Sequence, residues 1–153
     1  MRTLRVFIVL LALLPAVTHA GLLDADARAD LTQQALSGFW GNARDSAGSP
    51  IQPENAQDRA TVPVAHPVVN TAINAGEISG LAEWCGLDWQ PRYYALTRAS
   101  RTERMTDKQI AFISFLHGAA QQTMASTLRS KPCGDSQRSK VREALAQPVV
   151  LRR

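Results

Sequence analysis

Apolar residues recur along this chain at intervals of three and four, while alternating stretches of strand length are scarce. From Val68 to Cys85 the stripe Val68, Ala72, Ala75, Ile78, Ala82, Cys85 keeps a helical period. A second stripe lies beside it: Val69, Ile73, Gly76, Gly80, Trp84. Asn70, Thr71, Asn74 and Glu77 form the clear polar face, so this helix is expected to be central and buried on most sides. The Gly76-x-x-x-Gly80 pair suits either close approach of a second helix or a break, and the continuous stripes favour one unbroken helix. Gly86 ends it, and Asp88 is placed to cap a following helix that tolerates Pro91 in its first turn and runs to about Arg101. The buried edge of that helix is predicted to be Trp89, Tyr93 and Leu96.

Thr106 and Gln109 have the spacing of a capping box for the longest helix, Asp107 to Arg129. Its predicted core face is Ile110, Ile113, Ala120, Met124 and Leu128, widened by Phe112, Phe115 and Leu116. Pro132-Cys133-Gly134 makes a turn, and Asp135 or Ser136 starts a last helix that Pro148 follows. Upstream, Asp24 to Trp40 reads as an amphipathic helix, with Ala27, Leu31, Ala35 and Phe39 spaced by four. Between these helical stretches, residues 41–67 hold four of the eight prolines among Ser, Asn, Asp and Gly, and are expected to form an extended connector with little regular structure, either an arm laid over the core or a mobile linker. The expected fold is therefore all-α. A small bundle of about four core helices occupies 68–147, preceded by an N-terminal helix within 21–40 and a Pro-rich arm at 41–67, and followed by a tail at 148–153.

The start of the chain breaks this pattern. Arg2 and Arg5 precede an uninterrupted apolar run from Val6 to Leu14, and Thr18 and Ala20 supply small residues before a cut after Ala20. Those are the marks of a cleavable signal peptide over residues 1–20, and they predict a periplasmic or secreted protein. The run is too short to cross a bilayer, for which about 20 residues are needed, and nothing later in the chain reaches that length. Removing the leader takes Arg2 and Arg5 with it and leaves 15 basic and 13 acidic residues. A net charge of +2 lacks the concentration of positive charge that nucleic-acid binding requires, and export argues against it further.

Export also sets the chemistry of the two cysteines. Cys85 and Cys133 are the only ones, in a compartment that favours oxidation, and a structural disulfide is expected between them. Bridging a loop of that length stabilises by roughly 4 kcal/mol on the chain-entropy model. CxxC redox, CxxCH haem and four-ligand zinc patterns are all missing, as are nucleophile elbows and phosphate-binding glycine loops, so no cofactor is implied.

Two sets of residues carry candidate chemistry. On a helical wheel His117 falls about 20° from both Ile110 and Met124, inside an apolar stripe, and Glu83 falls between the two stripes of the central helix. If they face each other they form an acid/base pair for an envelope-acting enzyme. The plainer reading is a structural hydrogen bond, or no contact at all. His66 is too remote in sequence from His117 to preset a metal site. The second set is the basic face of the helix after Asp88. Tyr94, Arg98 and Arg101 are spaced by four and three, opposite the Trp89/Tyr93/Leu96 edge, and Arg104 extends the charge. Exposed Tyr beside Arg is a combination enriched at interface hot spots, against the plainer reading of a solvated face with Tyr94 half covered. Trp84 and Trp89 flank Cys85 and read first as packing round the disulfide, second as a shallow aromatic groove for a ligand such as a glycan. The reading that follows is a non-catalytic exported binding or accessory protein, whose partner is a protein or an anionic envelope component. Inhibitor, immunity factor or assembly partner all fit that description.

Overall fold

The computed structural model describes residues 22–151, and the signal segment expected at 1–20 lies outside them. Six helices follow one another: α1 (Ala25–Phe39), α2 (Ala56–Ala60), α3 (His66–Trp84), α4 (Gln90–Thr102), α5 (Asp107–Leu128) and α6 (Asp135–Ala146). No strand occurs among the described residues; Arg44 and Pro50 form one isolated antiparallel bridge. The molecule is a small all-α bundle.

The central pair is α3 against α5, and two glycines explain how closely they lie. A Cβ added at Gly80 would stand 2.5 Å from the Gln121 carbonyl oxygen and 2.6 Å from Met124 Cβ. One added at Gly76 would collide with the His117 carbonyl and with Ala120 Cβ. The glycines do not break α3; they let the α5 backbone rest on it. Phe112, Ile113, Leu116 and Ala120 of α5 fill the space beside Val68, Ala72 and Ile73, all deeply buried.

Helix boundaries follow local chemistry. Thr106 Oγ1 accepts from the Gln109 amide and Gln109 Oε1 accepts from the Thr106 amide, so the expected capping box is formed. At the end of α3, Gly86 adopts φ 65° while the Leu87 amide donates to the Ala82 carbonyl and the Gly86 amide to that of Glu83. Asp88 does not cap α4 from the N-cap position, which Trp89 holds; its carboxylate accepts from the Gln90 amide instead.

The stretch 41–67 is more ordered than its composition predicts. Asp45 Oδ1 accepts from the Ala47 and Ser49 amides to close a turn, and α2 begins with Asn55 accepting from the Asp58 amide. The arm lies on the bundle, held by Trp40 Nε1 donating to the Arg59 carbonyl, Gln109 Nε2 donating to that of Pro63, and Lys108 paired with Asp58 at 2.9 Å. The Glu54 amide and the Lys108 ammonium hold the Asp58 carboxyl below its usual range. Leu31, Ala35 and Phe39 of α1, Ala43 and Ile51 of the arm, and Leu151 of the tail join the α3–α5 core in one cluster. Phe39 sits edge-on to Trp40 and Phe112, with ring centroids 5.0 and 5.3 Å away.

A smaller cluster forms round Ala82, Cys85 and Val141, with Trp84, Trp89 and Leu145 packed on it. The Cys85–Cys133 disulfide ties the start of α6 to the end of α3 across 48 positions of sequence. Both tryptophans are half-buried at this corner, and Trp84 Nε1 donates to the Lys131 carbonyl.

Candidate functional site

The polar residues of α3 take positions that sequence periodicity misassigns. Glu77, expected on the solvent face, is 1% exposed; its carboxylate accepts from the Leu23 amide at 2.7 Å and pairs with Arg28 of α1 at 2.6 Å. Arg28 also donates to the Leu23 and Asn70 carbonyls, so this buried pair is well supplied with partners and fastens α1 to α3. Glu83 goes the other way. It is exposed rather than aimed at the core, and its carboxylate accepts from Gln121 Nε2 at 2.8 Å.

His117 is buried as its wheel position predicts, but its partner is Ser79, with Nε2 and Oγ 2.9 Å apart. Glu83 and His117 are thus engaged with different residues, on neighbouring turns of the α3–α5 contact. The imidazole is packed by Tyr93 and Trp89, at centroid distances of 5.2 and 6.3 Å. Burial, and then the charge of Arg92, bring its pKa down to about 4. The imidazole is therefore neutral at physiological pH. Ser79 is wholly buried, so this hydroxyl–imidazole pair offers no substrate a path to the oxygen.

Arg92 is the residue that sequence reading passed over. It is 6% exposed, its Nε has no hydrogen-bond partner, and one terminal nitrogen donates to the Gln147 carbonyl at the end of α6. Burial lowers its pKa. Its i, i+4 relation to Leu96 on the inward edge of α4 was the signal available.

The expected binding residues do lie at the surface. Tyr94 is 55% exposed, and Arg98, Arg101 and Arg104 are exposed too. Tyr94, Thr97, Arg98 and Arg101 line a shallow hollow of about 250 Å³ on α4. Arg101 also borders a larger open groove of about 660 Å³ between the turn at 43–46 and helices α4 and α5. Comparison adds no relative. No protein-family model, curated protein or solved structure matches the chain.

The backbone at the end of α4 is unusual in one respect. Arg104 has φ 53°, the only described residue other than glycine in the left-handed region. The Met105 amide donates to the Ser100 carbonyl and the Arg104 amide to that of Arg101, the same closure that Gly86 makes for α3. Here a long cationic side chain occupies a place where glycine costs nothing and any other residue about 1 kcal/mol.

For metals, no group of three or more His, Cys, Asp or Glu stands close enough to hold an ion among the described residues. His66 begins α3 at the surface, with Nδ1 3.4 Å from Asn70 Nδ2, while His117 is deep in the α3–α5 interface. No described helix is long and apolar enough to cross a membrane.

Proposed function

We propose that this chain is an exported, non-catalytic binding protein whose recognition surface is the outer face of α4: Tyr94, Arg98 and Arg101, continued by Arg104. The observation that carries the reading is the left-handed backbone at Arg104. Strain of this kind persists when the side chain is needed, and glycine at the same position gives a more stable helix end. The neighbouring residues agree with it. A half-exposed tyrosine flanked by guanidiniums supplies apolar area at low entropy cost together with forked donors for carboxylate or phosphate. The partner is accordingly a protein with an acidic surface or an anionic envelope component. The enzyme alternative finds less support, because Glu83 and His117 have separate partners and His117 and Ser79 lack an opening to solvent.

Arg104→Gly tests this directly. Under the binding reading the variant gains about 1 kcal/mol in denaturant unfolding and loses capture of the envelope component that the unaltered protein retains. A variant that is both stabilised and fully competent in capture removes Arg104 from the site and leaves its strained backbone without a role.

A further inference from the structure

α6 is attached differently from the other long helices. The main core draws side chains from α1, α3, α4, α5, the arm and the tail, and none from α6 among the described residues. α6 belongs instead to the smaller cluster at the end of α3, where Val141 is its only deeply buried side chain and Leu145 is half-buried. Leu81, Trp84, Leu87 and Trp89, all half-buried, pack into the same cluster. A helix of 12 residues with so little buried surface is marginal in water, where isolated helices shorter than about 12–15 residues rarely persist. Its hold on the bundle therefore depends on how its ends are fastened.

The two ends are fastened unequally. Before α6, the Cys85–Cys133 bridge joins the turn to the C-cap of α3, and Trp84 Nε1 donates to the Lys131 carbonyl of the same turn. After α6, one nitrogen of Arg92 donates to the Gln147 carbonyl, and Leu151 seats the tail in the main core. The Arg92 clasp is a costly one, because the Nε of the same buried guanidinium has no partner. The covalent bridge is the firm attachment, and it is open to attack from one side. Cys85 is 1% exposed, whereas Cys133 is half-buried in a turn whose neighbours, residues 129–132 and 134, are exposed.

We infer that α6 is a redox-governed strap: reduction of Cys85–Cys133 by a dithiol releases it and uncovers Trp84 and Trp89, while α1, α3, α4 and α5 stay folded. A thiolate of the dithiol attacks the Cys133 sulfur, the S–S bond breaks, and Cys85 leaves as a thiolate that takes up a proton. The second thiol of the reductant then displaces Cys133 from the mixed disulfide, so two electrons pass and the reductant ends as a disulfide. The two parts separate because the main core holds no α6 side chain. Leu151 keeps the tail docked, so the open strap stays tethered and oxidation closes it again.

The test treats the folded protein with dithiothreitol and follows amide exchange residue by residue. Amides of 138–146 are expected to lose protection by about tenfold or more, while those of 69–82 and 111–124 keep theirs. Fluorotryptophan labels supply a second readout: Trp84 and Trp89 become accessible to a quencher, and Trp40, buried in the main core, does not. Cys85→Ser/Cys133→Ser should show the same pattern without reductant, and reoxidation should restore protection in the unaltered protein. Loss of protection in α3 and α5 together with α6, accompanied by exposure of Trp40, overturns the strap and makes the bridge a fastening of the whole fold. A double-serine variant that fails to fold has the same meaning. A bridge that dithiothreitol leaves intact, or an α6 that stays protected once both thiols can be alkylated, also overturns it.

Discussion

His117, Glu77 and Glu83 show what a single side chain's environment settles. The folded chain holds the His117 imidazole to about pKa 4, against 6.5 for the ordinary residue, because burial and the Arg92 charge both disfavour the cation. An unfolded chain takes up that proton near pH 6.5, the folded one only near 4. Between those values folding must expel the proton, so stability is complete above pH 6.5 and falls as the pH drops toward 4. The loss expected from this one residue is about 3 kcal/mol, read as the fall in unfolding free energy by denaturant titration at several pH values. Asp58 contributes only below its ordinary 3.8, outside this window. His117→Gln should flatten the slope between pH 6.5 and 4; an unchanged slope would place the titrating group elsewhere. Burial of His117 was legible in the sequence because its wheel position lies within one apolar stripe. Glu77 and Glu83 were assigned the wrong way round, since each lies near the edge of a stripe, where the deciding factor is a partner on another element. Arg28 draws Glu77 inward, and Gln121 at the rim of the helix pair holds Glu83 at the surface.

At the scale of elements, the close approach of α3 and α5 dominates. Gly80→Ala would raise helix propensity by about 1 kcal/mol on an exposed face. Here the added methyl meets the Gln121 carbonyl and Met124 Cβ, and overpacking of that kind outweighs the propensity gain. The expected result is net destabilisation of about 1–3 kcal/mol by thermal or denaturant unfolding. A neutral or stabilised variant would mean that the two helices separate easily. Truncating Phe112 or Leu116 to Ala, both fully buried in this interface, should lose about 2–5 kcal/mol. Helix positions were readable because 3.6-residue periodicity and capping residues are local: the Thr106/Gln109 box and the Gly86 stop both form as expected. The order within 41–67 was readable only in its local parts. The Asp45 turn and the Asn55 cap of α2 are local side-chain bonds, whereas the seating of the arm on the bundle rests on tertiary bonds to Trp40, Gln109 and Lys108, which no local pattern encodes.

At the scale of the whole molecule, the arm that was expected to be a connector is what creates the groove, by setting its 43–46 turn against α4 and α5. The exposure of Tyr94, Arg98 and Arg101 on one side of α4 was legible from spacing alone, whereas the groove beside them needed two segments distant in sequence to meet. The resulting division is between a bundle interior held by α3–α5 packing and the Cys85–Cys133 bridge, and the exposed Tyr94, Arg98 and Arg101 that lie outside it. That division is tested most directly by comparing the unaltered protein with the Arg98→Ala/Arg101→Ala variant as baits against envelope extract, with unfolding of both measured in parallel. The account predicts that stability changes by only about 0.5 kcal/mol per substitution while the component retained by the unaltered protein, in a salt-sensitive manner, is lost from the variant. Undiminished capture by the double variant, with its fold intact, would contradict it.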